Sequence, residues 1–236
     1  MISIAIPTFN RTNLLYESFA KVINDPRISE IVIVDDCSTS EVWEQVQDMC
    51  HPHSQIKLYR NEKNLDCYRN KREAVSKASN EWVILLDSDN VIDKDYLDAI
   101  FGVVNCGYSR WRKYEILQPC FAKPHFEFKD WEGKLFNKSN IANFIKNSTF
   151  QTMLNAANYF VNRDAYLEAW DGSVDPVTSD SIYMAYRWLE AGNSIYVVPG
   201  LEYEHRVHEG SHYRQNVRRT PRGFHEDILN RLKKMR

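Results

Sequence analysis

Asp87-Ser88-Asp89 stands directly behind the apolar run Trp82-Val83-Ile84-Leu85-Leu86 and ahead of Asn90. Side chains on a strand alternate faces, so Asp87 and Asp89 share one side, and two close carboxylates repel unless a cation lies between them. A divalent ion carrying a diphosphate would do this. The competing reading is a strand-ending turn, which Asp, Ser and Asn all favour. A second acidic pair, Asp35-Asp36, closes the β-branched run Ile31-Val32-Ile33-Val34. An ionised carboxylate only accepts hydrogen bonds, so Asp36 suits a nucleobase with N–H donors on its pairing edge, uracil or guanine before cytosine. For this pair the competing reading is helix capping with Ser38 and Thr39.

Both acidic pairs depend on the elements that carry them. Ile2 to Ile6 reads as a buried strand stopped by Pro7. Leu14, Leu15, Phe19, Val22 and Ile23 share a helical face that ends at Asp25-Pro26. Further helices are expected over Glu41 to Met49, Arg69 to Ala78 and Asp95 to Val104, and further strands over Ile31 to Val34, Gln55 to Tyr59 and Trp82 to Leu86. This alternation predicts an α/β fold, a mostly parallel doubly wound sheet with right-handed crossovers. Ligands of such sheets bind at the carboxyl ends of the strands, where both acidic pairs fall.

From Cys106 to Phe150 the pattern lapses into aromatics and lysines without a clean period. That stretch reads either as a variable, acceptor-facing region or as irregular packing. A strand over Asn158 to Val161, a helix over Ser181 to Ala191 ended by Gly192, and a strand over Ile195 to Val198 complete the pattern.

The chain's 236 residues, 43% hydrophobic and 13% aromatic, are enough to bury a large core. A net charge of −2 gives no electrostatic case for nucleic acid. Cys37, Cys50, Cys67, Cys106 and Cys120 form no C-x-x-C pair, which points away from a disulfide framework or structural zinc and towards a reducing, cytoplasmic setting. No run approaches the roughly 20 apolar residues of a membrane span, and Pro7 and Arg11 come too early for a signal peptide. The tail, with Ile228, Leu229, Leu232 and Met235 among Arg231, Lys233, Lys234 and Arg236, is basic and amphipathic. It suits either a helix packed on its own domain or peripheral contact with an anionic membrane.

Three ordered segments, Ile4 to Arg11, Glu30 to Thr39 and Leu85 to Asn90, resemble the family 2 glycosyltransferases with the GT-A fold. The resemblance covers Ile2 to Arg206. It implies a nucleotide-sugar-binding half over residues 1–105 fused to an acceptor half over 106–206 in one domain, with a basic loop and helix over 207–236. It further implies a UDP- or GDP-sugar donor, a glycan, lipid-linked or other hydroxyl acceptor, a divalent metal (Mn2+ or Mg2+) and inverting transfer. Carried over, Pro7, Thr8, Asn10, Arg11, Asn64 and Ser88 belong to the donor pocket, Asp36 meets the base, Asp87 lies near the ribose and Asp89 binds the metal.

Where the family commonly has Ala-Arg-Asn, this chain has Asn70-Lys71-Arg72, so Lys71 would supply the charge near the diphosphate, with Arg69 or Arg72 as substitutes. In the second half the resemblance implies Asp180 as general base, taking the proton of the acceptor hydroxyl, with Asp175 in reserve. It implies His205, in Glu204-His205-Arg206, as a second metal ligand. His208 and His212 have helical spacing, but Gly210-Ser211 argues against a helix and a zinc site there. The segment reads instead as one that closes over the diphosphate with Arg214. Two other classes fit parts of the pattern: a nucleotide- or glycan-binding protein of the same fold with little turnover, and a receiver-like phosphoacceptor domain suggested by Ile31 to Asp36.

Overall fold

The computed structural model describes residues 1–105 and 111–236, so Cys106 lies outside the described residues. Strand and helix alternate through the first half: β1 (Ile2–Thr8), α1 (Asn13–Phe19), β2 (Ile28–Asp35), α2 (Ser40–Cys50), β3 (Ile56–Arg60), α3 (Asp66–Lys77), β4 (Trp82–Leu85) and α4 (Lys94–Asn105). The second half contains β5 (Glu115–Lys123), β6 (Phe126–Glu127), β7 (Leu135–Phe136), α5 (Ser148–Leu154), β8 (Phe160–Asn162), α6 (Arg163–Ala169), α7 (Asp180–Glu190), β9 (Ser194–Glu204), α8 (His212–Asn216) and α9 (Phe224–Lys233).

One sheet runs through both halves in the order β3-β2-β1-β4-β8-β5-β9-β7, with β6 beside β5. β1 is buried along its whole length, as a continuous apolar run must be when helices cover both faces of a parallel sheet. Its neighbours β2 and β4 are parallel to it, and the register sets Thr8 opposite Asp35 and Ala5 opposite Leu85. The strand ends carrying the two acidic pairs therefore lie at the same edge of the sheet, one on each side of β1. β8 turns the direction by pairing antiparallel with β4, and β5 and β9 continue as a parallel pair. The sheet is mixed and largely parallel. A receiver-like domain, with its acids on the first strand, does not fit, because here they end the second.

Two departures from the sequence expectation have identifiable causes. β5 was hidden because Gln118 and Pro119 interrupt its apolar run, yet the strand continues through an irregular register between Pro119 and Phe121. β9 runs past the expected stop at Val198 as far as Glu204, with Gly200 absorbing a backbone φ of +71° that a side chain would resist.

Part of the aromatic middle is core: Phe150 has its ring centroid 4.8 Å from Phe136 and 5.3 Å from Trp131. The tail is helical as expected, but Ile228, Leu229, Leu232 and Met235 are buried against α7 and the turn at Ile141–Asn143. The apolar stripe needed for membrane contact is thus used within the domain, and the cationic side chains remain outside. No helix among the described residues is long and apolar enough to cross a membrane.

Candidate active site

The four residues after β1 and after β2 are tied into one platform. Asn10 takes a φ of +48°, its N–H donates to Ser38 Oγ at 2.7 Å, and its Oδ1 accepts from the Thr39 N–H at 3.0 Å. The two aspartates of the second strand separate in role. Asp35 is fully buried and accepts from both the N–H and the hydroxyl of Ser38, with Arg60 alongside, which is a turn-capping arrangement. Asp36 lines the cleft, and its Oδ1 accepts from Asn61 Nδ2 and the Leu65 N–H, each at 2.8 Å. Burial raises its pKa despite those two donors. Asn70 Nδ2 donates to the carbonyl oxygens of Thr8 and Val34, so α3 is stitched to the same strand ends.

Beyond β4, the Asp87 N–H donates to Asn158 Oδ1 at 2.8 Å, and Asn158 itself sits at a φ of +70°. The Asp87 carboxylate lies 3.1 Å from Lys71 Nζ, and Lys71 Nζ lies 2.7 Å from Asp180 Oδ2. Lys71 is 5% exposed and Asp180 7% exposed. Burial by itself would raise the Asp180 pKa, but the adjacent ammonium outweighs it and the carboxyl is held below its ordinary value. Lys71 was expected at the diphosphate. Its ammonium is instead enclosed between two carboxylates, because a charge this buried needs close counter-charges. Arg69 faces Asp175, and Arg72 pairs with Glu73 and lies over the Trp170 ring.

Asp89 gathers a different set. Its Oδ2 is 3.1 Å from Arg11 Nη1 and 3.0 Å from His208 Nε2. Arg11 also donates to Ser88 Oγ at 3.1 Å and to the Gly210 carbonyl at 3.0 Å. The imidazole in contact with Asp89 is thus His208, not the expected His205. His205 is partly buried among His125, Phe126 and Tyr203, and its Nδ1 is buried without a partner among the described residues. Burial lowers its pKa, with Asp89 and Asp87 pulling the other way. Among the described residues no group of three His, Cys, Asp or Glu side chains forms a ready metal site.

The segment after β9 lies across the opening. His212 Nε2 is 3.4 Å from the Val177 carbonyl oxygen, Arg219 makes a forked pair with Asp66 at 2.8 and 3.3 Å, and the Thr220 and Thr178 hydroxyls meet at 2.6 Å. Beneath it is a cleft of about 820 Å³ lined from both halves, among others by Pro7, Asn10, Arg11, Asn64 and Asp87. Sequence reasoning missed Asn61, Asn70, Asn158, Cys67 and Arg219. Asn61, Cys67 and Asn70 nevertheless fall in or beside the Asn64 to Arg72 stretch already singled out.

Residues 3–105 match the family described as Glycosyl transferase family 2. Over 110 residues the chain is 30% identical to a GalNAc(5)-diNAcBac-PP-undecaprenol beta-1,3-glucosyltransferase of Campylobacter jejuni, a stretch that covers 46% of this chain and 36% of that protein. The chain thus spans little more than a third of that relative's length. Residues 1–349 of S. aureus TarS share the fold with a TM-score of 0.65 at 15% identity, over 98% of this chain and 70% of that one. TarS has also been solved with UDP and with UDP-GlcNAc. A Pyrobaculum calidifontis mannosyltransferase, PcManGT, in complex with GDP-Man and Mn2+, gives a TM-score of 0.66 at 16% identity over 98% and 68% of the two chains.

Proposed function

We propose, from residues 3–105 being a family 2 glycosyltransferase segment and the whole being a GT-A fold, that the chain transfers a sugar from a UDP- or GDP-sugar to a hydroxyl acceptor with inversion. Glycans and lipid-linked sugars are the acceptors considered. The observation that carries the reading is the meeting of Asp87 and Asp180, from opposite halves of the chain, on one side-chain ammonium at the edge of a nucleotide-sized cleft.

Asp36 receives the base, with Oδ1 already used by Asn61 and Leu65 and Oδ2 left to accept from an N–H edge. Pro7, Thr8, Asn10 and Asn64 shape the nucleoside end, Asp87 meets the ribose, and Arg11 with Ser88 faces the diphosphate. The acceptor oxygen attacks the anomeric carbon while Asp180 takes its proton. The bond from that carbon to the phosphate oxygen breaks, and the nucleoside diphosphate leaves with the electron pair.

Asp89 and His208 are an oxygen and an imidazole donor that suit Mn2+ or Mg2+, which take their remaining positions from substrate phosphates. Arg11 already pairs with that Asp89 oxygen, so an ion would have to displace the guanidinium towards the diphosphate. A bound ion would neutralise the departing diphosphate. A protein of this fold that binds donors and turns over little is the second reading, favoured by the close embrace of Asp180 by Lys71.

A panel of UDP, GDP and their sugars, with and without Mn2+, tests the proposal by thermal shift, since a ligand specific to the native state raises its melting point. The absence of any nucleotide shift would end it. Binding of a donor without release of free nucleotide, even with hydroxyl acceptors supplied, would leave the second reading.

A further inference from the structure

Lys71 is buried in α3 with a full set of partners: Asp180 Oδ2 at 2.7 Å, Asp87 Oδ1 at 3.1 Å and Ser181 Oγ at 3.5 Å. The ammonium donates to Asp180 and Ser181, and the Asp87 carboxylate stands beside it as a second counter-charge. Two of these partners belong to α7, in the second half of the chain, and one follows β4 in the first. The other groups around Asp180 are Cys67, whose Sγ is 3.7 Å from Asp180 Oδ2, and His212, Tyr159 and Tyr166, which feel its charge. Of these, only Lys71 carries a fixed positive charge in contact with it.

We propose that Lys71 is a positioning residue of the transfer: by bridging Asp87 and Asp180 it keeps the proposed base ionised, fixes its carboxylate, and ties its placement to the acid that seats the donor. The proposal rests on Asp180 acting as the base. In the reaction the acceptor proton passes to Asp180 and Lys71 keeps its own, so the ammonium remains paired with Asp87 while Asp180 is neutral. The direction of the Asp180 shift agrees, because burial alone would favour the protonated acid and the ammonium reverses this.

The test uses the full chain with Lys71→Met, Lys71→Arg and the double variant Lys71→Met/Asp180→Asn. The first readout is the pH profile of nucleotide release from whichever UDP- or GDP-sugar binds. In Lys71→Met the acid limb should move upward by about one pH unit or more, and Lys71→Arg should leave it in place even if the rate falls. The second readout needs no donor. Lys71→Met should melt well below the parent at about pH 7, where a bare carboxylate is buried, and this deficit should shrink towards about pH 5 as Asp180 takes a proton. The double variant should recover most of it. An unmoved acid limb, or a melting deficit indifferent both to pH and to Asp180→Asn, would reduce Lys71 to a packing residue and overturn the proposal. If Lys71→Met does not fold, the double variant decides: failure to fold there as well counts against the bridge. Should the parent release nucleotide from no donor, the transferase reading fails, while the melting comparison still decides on the bridge.

Discussion

Asp36 and Asp180, proposed to receive the nucleobase and the acceptor's proton, are delivered in different ways. Asp36 follows a buried strand whose parallel neighbour is held in register, and the groups that fix it, Asn61, Leu65 and the Thr8 carbonyl, lie within a few dozen residues. Asp180 begins α7 in the other half and is held by Lys71, 109 positions earlier in the chain. The donor side is thus assembled by local strand-helix-strand geometry. The chemical side is assembled by contacts that only the finished fold can make.

The largest effect should come from the chemical side. Asp180→Asn removes the proposed proton acceptor, and transfer should fall by about 10²- to 10⁴-fold with donor binding retained. Loss of binding in parallel would blur the division between the halves. Next, Asp36→Ala should weaken nucleotide binding by roughly 10- to 100-fold through loss of a charge-assisted hydrogen bond, read as a calorimetric Kd. An unchanged Kd would move the base elsewhere.

Glu30 sharpens the comparison through stability. Burial alone would raise its carboxyl, but Lys57, the hydroxyls of Ser3 and Ser79 and the Ser79 N–H hold it at about 2. A depressed acid stabilises the fold fully above its unfolded value of about 4.3, and that contribution drains away as pH falls towards about 2. Glu30→Gln should cost about 1–3 kcal/mol at neutral pH and flatten the acid side of the melting curve. An unaltered slope there would contradict this. The smallest effect is expected from Arg219→Ala, which frees the segment over the cleft from Asp66. Donor KM should rise only a few-fold, as for one exposed ion pair, with kcat held, and a collapse of kcat would make that segment part of the chemistry.

The same division governed what could be read from the sequence. Ile2 to Ile6, Ile31 to Val34 and Trp82 to Leu86 are runs whose burial follows from their composition, and the acids behind them fell at the sheet edge as a consequence. Asp36 alone was assigned to the nucleobase, but that the capping reading, left open for both, belongs to Asp35 was not legible, because adjacent carboxylates differ only in which face they take and what awaits them there. β5 was missed for want of periodicity, and the strand expected to stop at Val198 continues to Glu204 through an irregular register. His205 was named from the likeness of Glu204-His205-Arg206 to the family's terminal strand, whereas the imidazole in contact with Asp89 is His208. Lys71 was recognisable as a charge near the site, but its second partner was not, since nothing local to α3 announces Asp180.

The sheet order has a consequence for how the molecule comes into being. β3 pairs with β2 and β2 with β1 across 25 and 27 positions, as Ile31 with Ile56 and Ile4 with Ile31 do, whereas β1 meets β4, β4 meets β8 and β5 meets β9 across 78 to 80, as Ser3 with Val83, Val83 with Val161 and Ile116 with Ile195 do. Pairings of high sequence separation close slowly. The β1-β2-β3 end that carries Asp36 is therefore expected to form early, and Asp87, Asp180 and His208 to be brought together last. A refolding chain should protect the backbone amides of β1 and β2 from hydrogen exchange before those of β5 and β9. Simultaneous protection would show the two halves to be a single kinetic unit.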